Sequence, residues 1–236
     1  MELNAGTRSA FDGLYQSALT RTNALERAMA SAPLPAVVTF QTSLASQPQS
    51  EVFAVGGQRF AATEPLRNRA VELATRRLDA EARHRVQSLP AGVLETAGRE
   101  AGQYQEALDR IGRQGAMSLS MIERGTLLAQ AQRTLGRPLD VTDTARSPGR
   151  LQAVLTEARD QAVRATGVAD GALAPDLIAR SASRRFQQLD TVHKTAEATI
   201  QRLRTQRDST PQTDALHRFL SRNLCRRIGF DVGRTA

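Results

Sequence analysis

PDLIARSASRRFQQLDTVHKTAEATIQRLRTQRD, residues 175–208, is the longest regular pattern in the chain and reads as a single helix. Its Leu189, Val192, Ala196, Thr199 and Leu203 step by three and four, the spacing of a coiled-coil seam, and Ile178, Phe186 and Ile200 widen the stripe. Pro175 stands in the first turn, where a missing N–H costs nothing, and Ser209-Thr210-Pro211 stops the pattern. A stripe of this length is expected to bury itself against other helices, so 175–208 is the expected organiser of the fold.

Working outward, the same periodicity recurs. Thr63-Glu64-Pro65 opens a helix whose Leu66, Ala70, Leu73, Ala74, Leu78, Ala82 and Val86 share a face, and Leu89-Pro90-Ala91-Gly92 breaks it. A second runs over about 93–113, with Ala97, Ala101, Tyr104, Leu108 and Ile111 turned inward. There Gly98 and Gly102 each weaken the helix by roughly 1 kcal/mol but permit a close helix approach. After a turn at Gly112 to Gly115, the residues Leu119, Ile122, Leu127, Leu128, Ala131 and Leu135 give another apolar face. Gly136 to Pro148 is the best internal break, and Leu151, Val154, Leu155, Ala158 and Val163 mark the helix beyond it. Thr213 and Asp214 cap a last helix, expected to run to Ile228 and to close at Gly229.

The first 62 residues read differently. Phe11, Leu14, Ala18, Leu25 and Met29 mark a helix from about Ser9 to Ala30. No charge occurs between Arg27 and Glu51, and Pro33, Pro35 and Pro48 lie among Ser, Thr and Gln. That composition predicts an extended linker, with Ala36 to Phe40 as an edge strand. Gly56-Gly57 separates the apolar runs 51–55 and 58–62, a hairpin signal because both turn residues need positive φ. A lone hairpin is marginal in water and should lean on a helix or on another protein. The fold class expected is therefore all-α, a bundle or helical hairpin array of about five to seven helices with a polar N-terminal arm carrying a short β-hairpin. Residues 1–62 would form that helix and arm and 63–236 the helical body, with a further candidate boundary at 136–148.

Composition narrows the function. The chain has one lysine, Lys194, among 32 basic residues. A GC-rich genome explains such a skew, and so does selection against the ε-amine that ubiquitin targets, since Arg keeps the charge without that chemistry. No Trp, two Tyr and seven Phe leave an aliphatic, alanine-rich core. The single cysteine, Cys225, makes no internal disulfide. No spanning helix and no cleaved signal are read, so synthesis in the bacterial cytoplasm is expected. The net charge of +8 gathers late, with 12 basic and five acidic side chains in residues 180–236.

Catalytic and metal chemistry find little support. Cys225 and His217 stand eight residues apart on one expected helix, roughly 12 Å along its axis, too far to bond. His84, His193 and His217 fit no metal-ligand spacing, and the glycine pairs fit no phosphate loop, so no catalytic residue, metal or cofactor is assigned. Glu72, Asp79, Glu157 and Asp160 read as surface ion-pair partners of arginines. Two binding elements remain. Leu216, Phe219, Leu220, Leu224 and Ile228 make one apolar stripe of the C-terminal segment, while Arg218, Arg222, Arg226 and Arg227 offer planar forks to an acidic partner or an anionic membrane surface. Val52, Phe53, Val55 and Phe60 offer a strand that could pair with a secretion chaperone by β-augmentation. Nucleic acid fits less well, because few aromatic residues stand among these arginines for base stacking.

These features lean away from an enzyme and toward a protein-binding or membrane-surface-binding helical protein, a bacterial effector delivered to host cells as a virulence factor without a cleaved signal. The alternatives are a structural or assembly component of a phage virion or secretion machinery, and a helical GTPase regulator using an arginine finger.

Overall fold

The computed structural model describes residues 5–46, 50–169, 171–205, 215 and 218–220. Among them the protein is all-α with one two-stranded antiparallel hairpin near the N-terminus. Nine helices are present among the described residues, more than the periodicity alone distinguishes. Packing divides the chain within α3 into two compact units, Met1–Glu81 and Ala82–Ala236.

The first unit holds α1 (Ala5–Ser31), α2 (Leu34–Ser46), β1 (Val52–Val55), β2 (Gln58–Ala61) and most of α3 (Glu64–Gln87). The stretch read as a linker with an edge strand is helix α2 instead. Pro33 and Pro35 fall at its beginning, where proline is tolerated. Val37 and Phe40, a helical step apart, are buried. The hydroxyls of Thr39 and Thr42 donate to the carbonyls of Pro35 and Val38 at 2.9 and 3.0 Å, so polar side chains follow the helix rather than compete with it. Phe53 faces Phe60 across the hairpin, and Phe40, Phe53 and Phe60 form a chain of rings with centroids 5.6 Å apart at each step. Gly56 and Gly57 turn the strands at φ of 57° and 81°. Gly56 is doubly constrained, because a Cβ there would meet the Ala28 carbonyl oxygen at 3.0 Å. From α3, Arg69 bonds Glu26 and Arg77 bonds the Met29 carbonyl, fastening α1 within this unit.

The second unit is built around α5 (Arg99–Gln114), which packs on α8 (Pro148–Ala165) and α9 (Pro175–Thr205). A short α4 (Ala91–Val93) runs into α5 through a π-helical turn, Leu94–Gly98. A 3₁₀ turn, Ala116–Ser118, leads to α6 (Met121–Leu135), which starts on a capping box of Ser120 and Glu123 and ends at Gly136 with φ of 64°. The Gly136 to Pro148 break contains α7 (Val141–Arg146), capped by Asp140. The core is aliphatic around Tyr104, whose hydroxyl shares a 2.7 Å hydrogen bond with Thr134. Burial pushes the Tyr104 phenol up to about 12.

In α9 the expected seam is corrected. Ile178, Ala179 and Ala182 are buried, whereas Leu189, Ala196 and Leu203 are half-buried and Val192 and Thr199 exposed. The first part of α9 organises this unit; the coiled-coil spacing lies beyond its core.

Candidate functional site

The sharpest surface feature is on α1. Phe11, Tyr15, Ala18, Thr22, Leu25 and Met29 follow heptad spacing and share one face, flanked by Leu14 and Leu19, with Ala32 just past the helix end. The two ends of this stripe have different fates. Leu25, Met29 and Ala32 are buried in the first unit, whereas Phe11 is 67% exposed, Leu14 73%, Tyr15 58% and Leu19 42%. Four large apolar side chains on adjoining turns, continuous with a buried face, form a contiguous apolar patch of the kind that marks interaction sites. The opposite face carries Gln16, Thr20 and Asn23 with a single arginine, Arg27. The sequence showed this periodicity but not its outcome, because heptad spacing is the same whether a stripe meets its own core or a second molecule.

The hairpin residues occupy another setting. Phe53, Val55 and Phe60 are buried and Val52 is 49% exposed, so three of the four side chains read as a pairing strand are packed in their own unit. Of the C-terminal arginines, Arg218 is exposed, and Arg222, Arg226 and Arg227 lie outside the described residues, as do His217 and Cys225.

In the second unit, charged groups mostly bind one another. Arg180 grips Asp109 with two donors at 2.9 and 3.1 Å and Asp176 with a third at 3.0 Å. Gln105 donates to Asp109 at 2.8 Å and accepts from Arg159 at 2.9 Å, joining α5, α8 and α9. The Arg180 guanidinium holds the Asp109 carboxyl below its ordinary range. Glu157 pairs with Arg137 at the surface and Asp160 with Arg159 in a half-buried pair, while in the first unit Glu72 pairs with Arg69.

Arg124 is different. It is 5% exposed and bonds three carbonyl oxygens, those of Leu119, Ala145 and Ala116, at 3.0, 2.9 and 2.8 Å. It thereby fixes the turn between α5 and α6; Met117 on that turn and Ile122 in the first turn of α6 are 86% and 82% exposed. Ile122, read as inward-facing, is thus a surface residue. It borders a groove of about 370 Å³ between α5 and α6 that Leu119 and Leu127 also line. Arg110 and Glu123 bridge the groove at 2.9 Å.

Among the described residues no group of three His, Cys, Asp or Glu is placed to hold a metal ion, and no helix is long and apolar enough to cross a membrane. No family model, curated protein or solved structure matches this chain.

Proposed function

We propose that this chain is a non-enzymatic binding protein whose α1 presents its exposed apolar half to the apolar face of a helical protein partner. The exposure of Phe11, Leu14, Tyr15 and Leu19 on one face carries this reading. Leaving four such side chains in water forgoes the roughly 1.5–3 kcal/mol that each gains on full burial, and a partner helix recovers it. A protein is favoured over a lipid surface here because interfacial helices set rows of Lys and Arg along the polar face, whereas that face of α1 carries Gln16, Thr20 and Asn23 with a single arginine, Arg27. The scarcity of lysine supports placing this binder among bacterial effectors that act inside host cells, and a secretion chaperone is the natural first partner of such a helix. The test is a photo-crosslinking residue placed in cells at Leu14 or, on the opposite face, at Thr20. Protein adducts confined to the Leu14 derivative support the proposal, and equal labelling of both faces, or none, overturns it.

A further inference from the structure

α9 outruns its own core. Its buried residues, Ile178, Ala179, Ser181 and Ala182, all precede Ser183, and none of its described residues beyond Ala182 is buried. Yet Leu189, Ala196, Ile200 and Leu203 are half-buried at three-, four- and seven-residue steps, while Thr195, Glu197, Ala198 and Gln201 between them are exposed. These four positions continue the helix face that Ile178 and Ala182 turn to the core.

We propose that residues 213–228 of the same chain dock antiparallel along this seam as the second arm of a helical hairpin. Three observations carry the assignment. The lengths match, since Leu216 to Ile228 spans about 18 Å as a helix and Leu189 to Leu203 about 21 Å. The connection is short, because only residues 206–212, with Pro211 among them, separate Thr205 from Thr213, and short connections make antiparallel neighbours. The pattern also fits, for Leu216, Leu220, Leu224 and Ile228 recur every four residues and Leu220 is half-buried in a helical stretch. A tether this short holds the two stripes at an effective concentration in the millimolar range, which favours the chain's own segment over a second copy. Docking by that stripe turns Arg218 and Arg222 to the far side, in keeping with the exposure of Arg218. The hairpin then displays an outward basic strip.

With Leu216 opposite Leu203, residue 225 falls opposite residue 194. Spin labels on the native Cys225 and on Lys194→Cys in the full-length chain therefore read the arrangement directly. Docking gives a narrow, short distance, about 10 Å between packed helix axes plus the label arms. One continuous helix from 194 to 225 would give about 46 Å. The short distance should persist on dilution with excess unlabelled protein and lengthen in a Leu220→Asp, Leu224→Asp variant. A long or broad distribution in the parent chain, a short one that dilution abolishes, or one that the aspartates leave unchanged would overturn the proposal.

Discussion

Gly102 on α5 and Ser183 on α9 lie so close that a Cβ on the glycine would stand 2.7 Å from the serine Cβ and 3.0 Å from its Cα. The backbones meet there with no space for a side chain, which explains a glycine inside a helix that would otherwise favour alanine. Gly102→Val should lose about 1–3 kcal/mol, the usual cost of overpacking. Gly125 in α6 is the control, for a Cβ there meets nothing within 4 Å. Gly125→Ala should gain about 0.5–1 kcal/mol from helix propensity. Urea midpoints measure both, and a Gly102→Val protein as stable as the parent would mean that the helices cross farther apart.

Arg124 should be intolerant even of lysine. Its fork satisfies three buried carbonyls at once, and an ammonium on a flexible stem cannot reproduce that plane of donors. Arg124→Met should cost about 2–3 kcal/mol through lost charged hydrogen bonds and stranded acceptors. Arg124→Lys should recover less than half of that loss. Full recovery by lysine in a thermal melt would show that charge alone, not the fork, holds the turn.

Much of this fold is legible in the sequence, because helix starts and stops are local chemistry. The Gly-Gly hairpin, Pro65 and Pro148 in first turns and the break that begins at Gly136 each act through their own backbone. The Gly98 and Gly102 pair likewise reads as a close approach. Two misreadings have a common cause. Ala36 to Phe40 looks like a strand by β-branching, but burial of Val37 and Phe40 in a helix overrides a weak preference. Leu189 to Leu203 looks like the main core seam by spacing, but periodicity says only that a face is apolar. What covers that face is a tertiary fact, and the same holds for Phe11 to Leu19. Arg124 is less legible still, since nothing in its surrounding sequence distinguishes a buried arginine from a solvated one.

Acid should loosen the α5–α6 junction before the rest of the second unit. The Ser120 backbone N–H, the Arg110 guanidinium and the Ser120 side chain lower the Glu123 carboxyl from 4.5 to about 2. A carboxyl depressed by folding stabilises the folded state above its unfolded value, and that contribution fades as pH falls through the folded one. The window is therefore about pH 4.5 down to about 2. Glu123→Gln should flatten the pH dependence of the melting temperature within that window and leave it unchanged near neutrality. An identical acid limb in parent and variant would show that other carboxyls govern it.

The stripe on α1 should behave as two different surfaces. Leu25 is 0% exposed, and Leu25→Ala should lose about 2–5 kcal/mol, as core cavities do. Leu14 is 73% exposed on the same stripe, and Leu14→Ala should change stability by less than about 0.5 kcal/mol. Binding should reverse that order. Leu14→Ala, better folded than Leu25→Ala, should lose more of the partner retained in a crosslinking or co-purification assay, because its side chain faces outward. Denaturation and capture on the same two variants check both halves. Equal destabilisation would place Leu14 in a packed interface within the chain and remove the basis for a partner on α1.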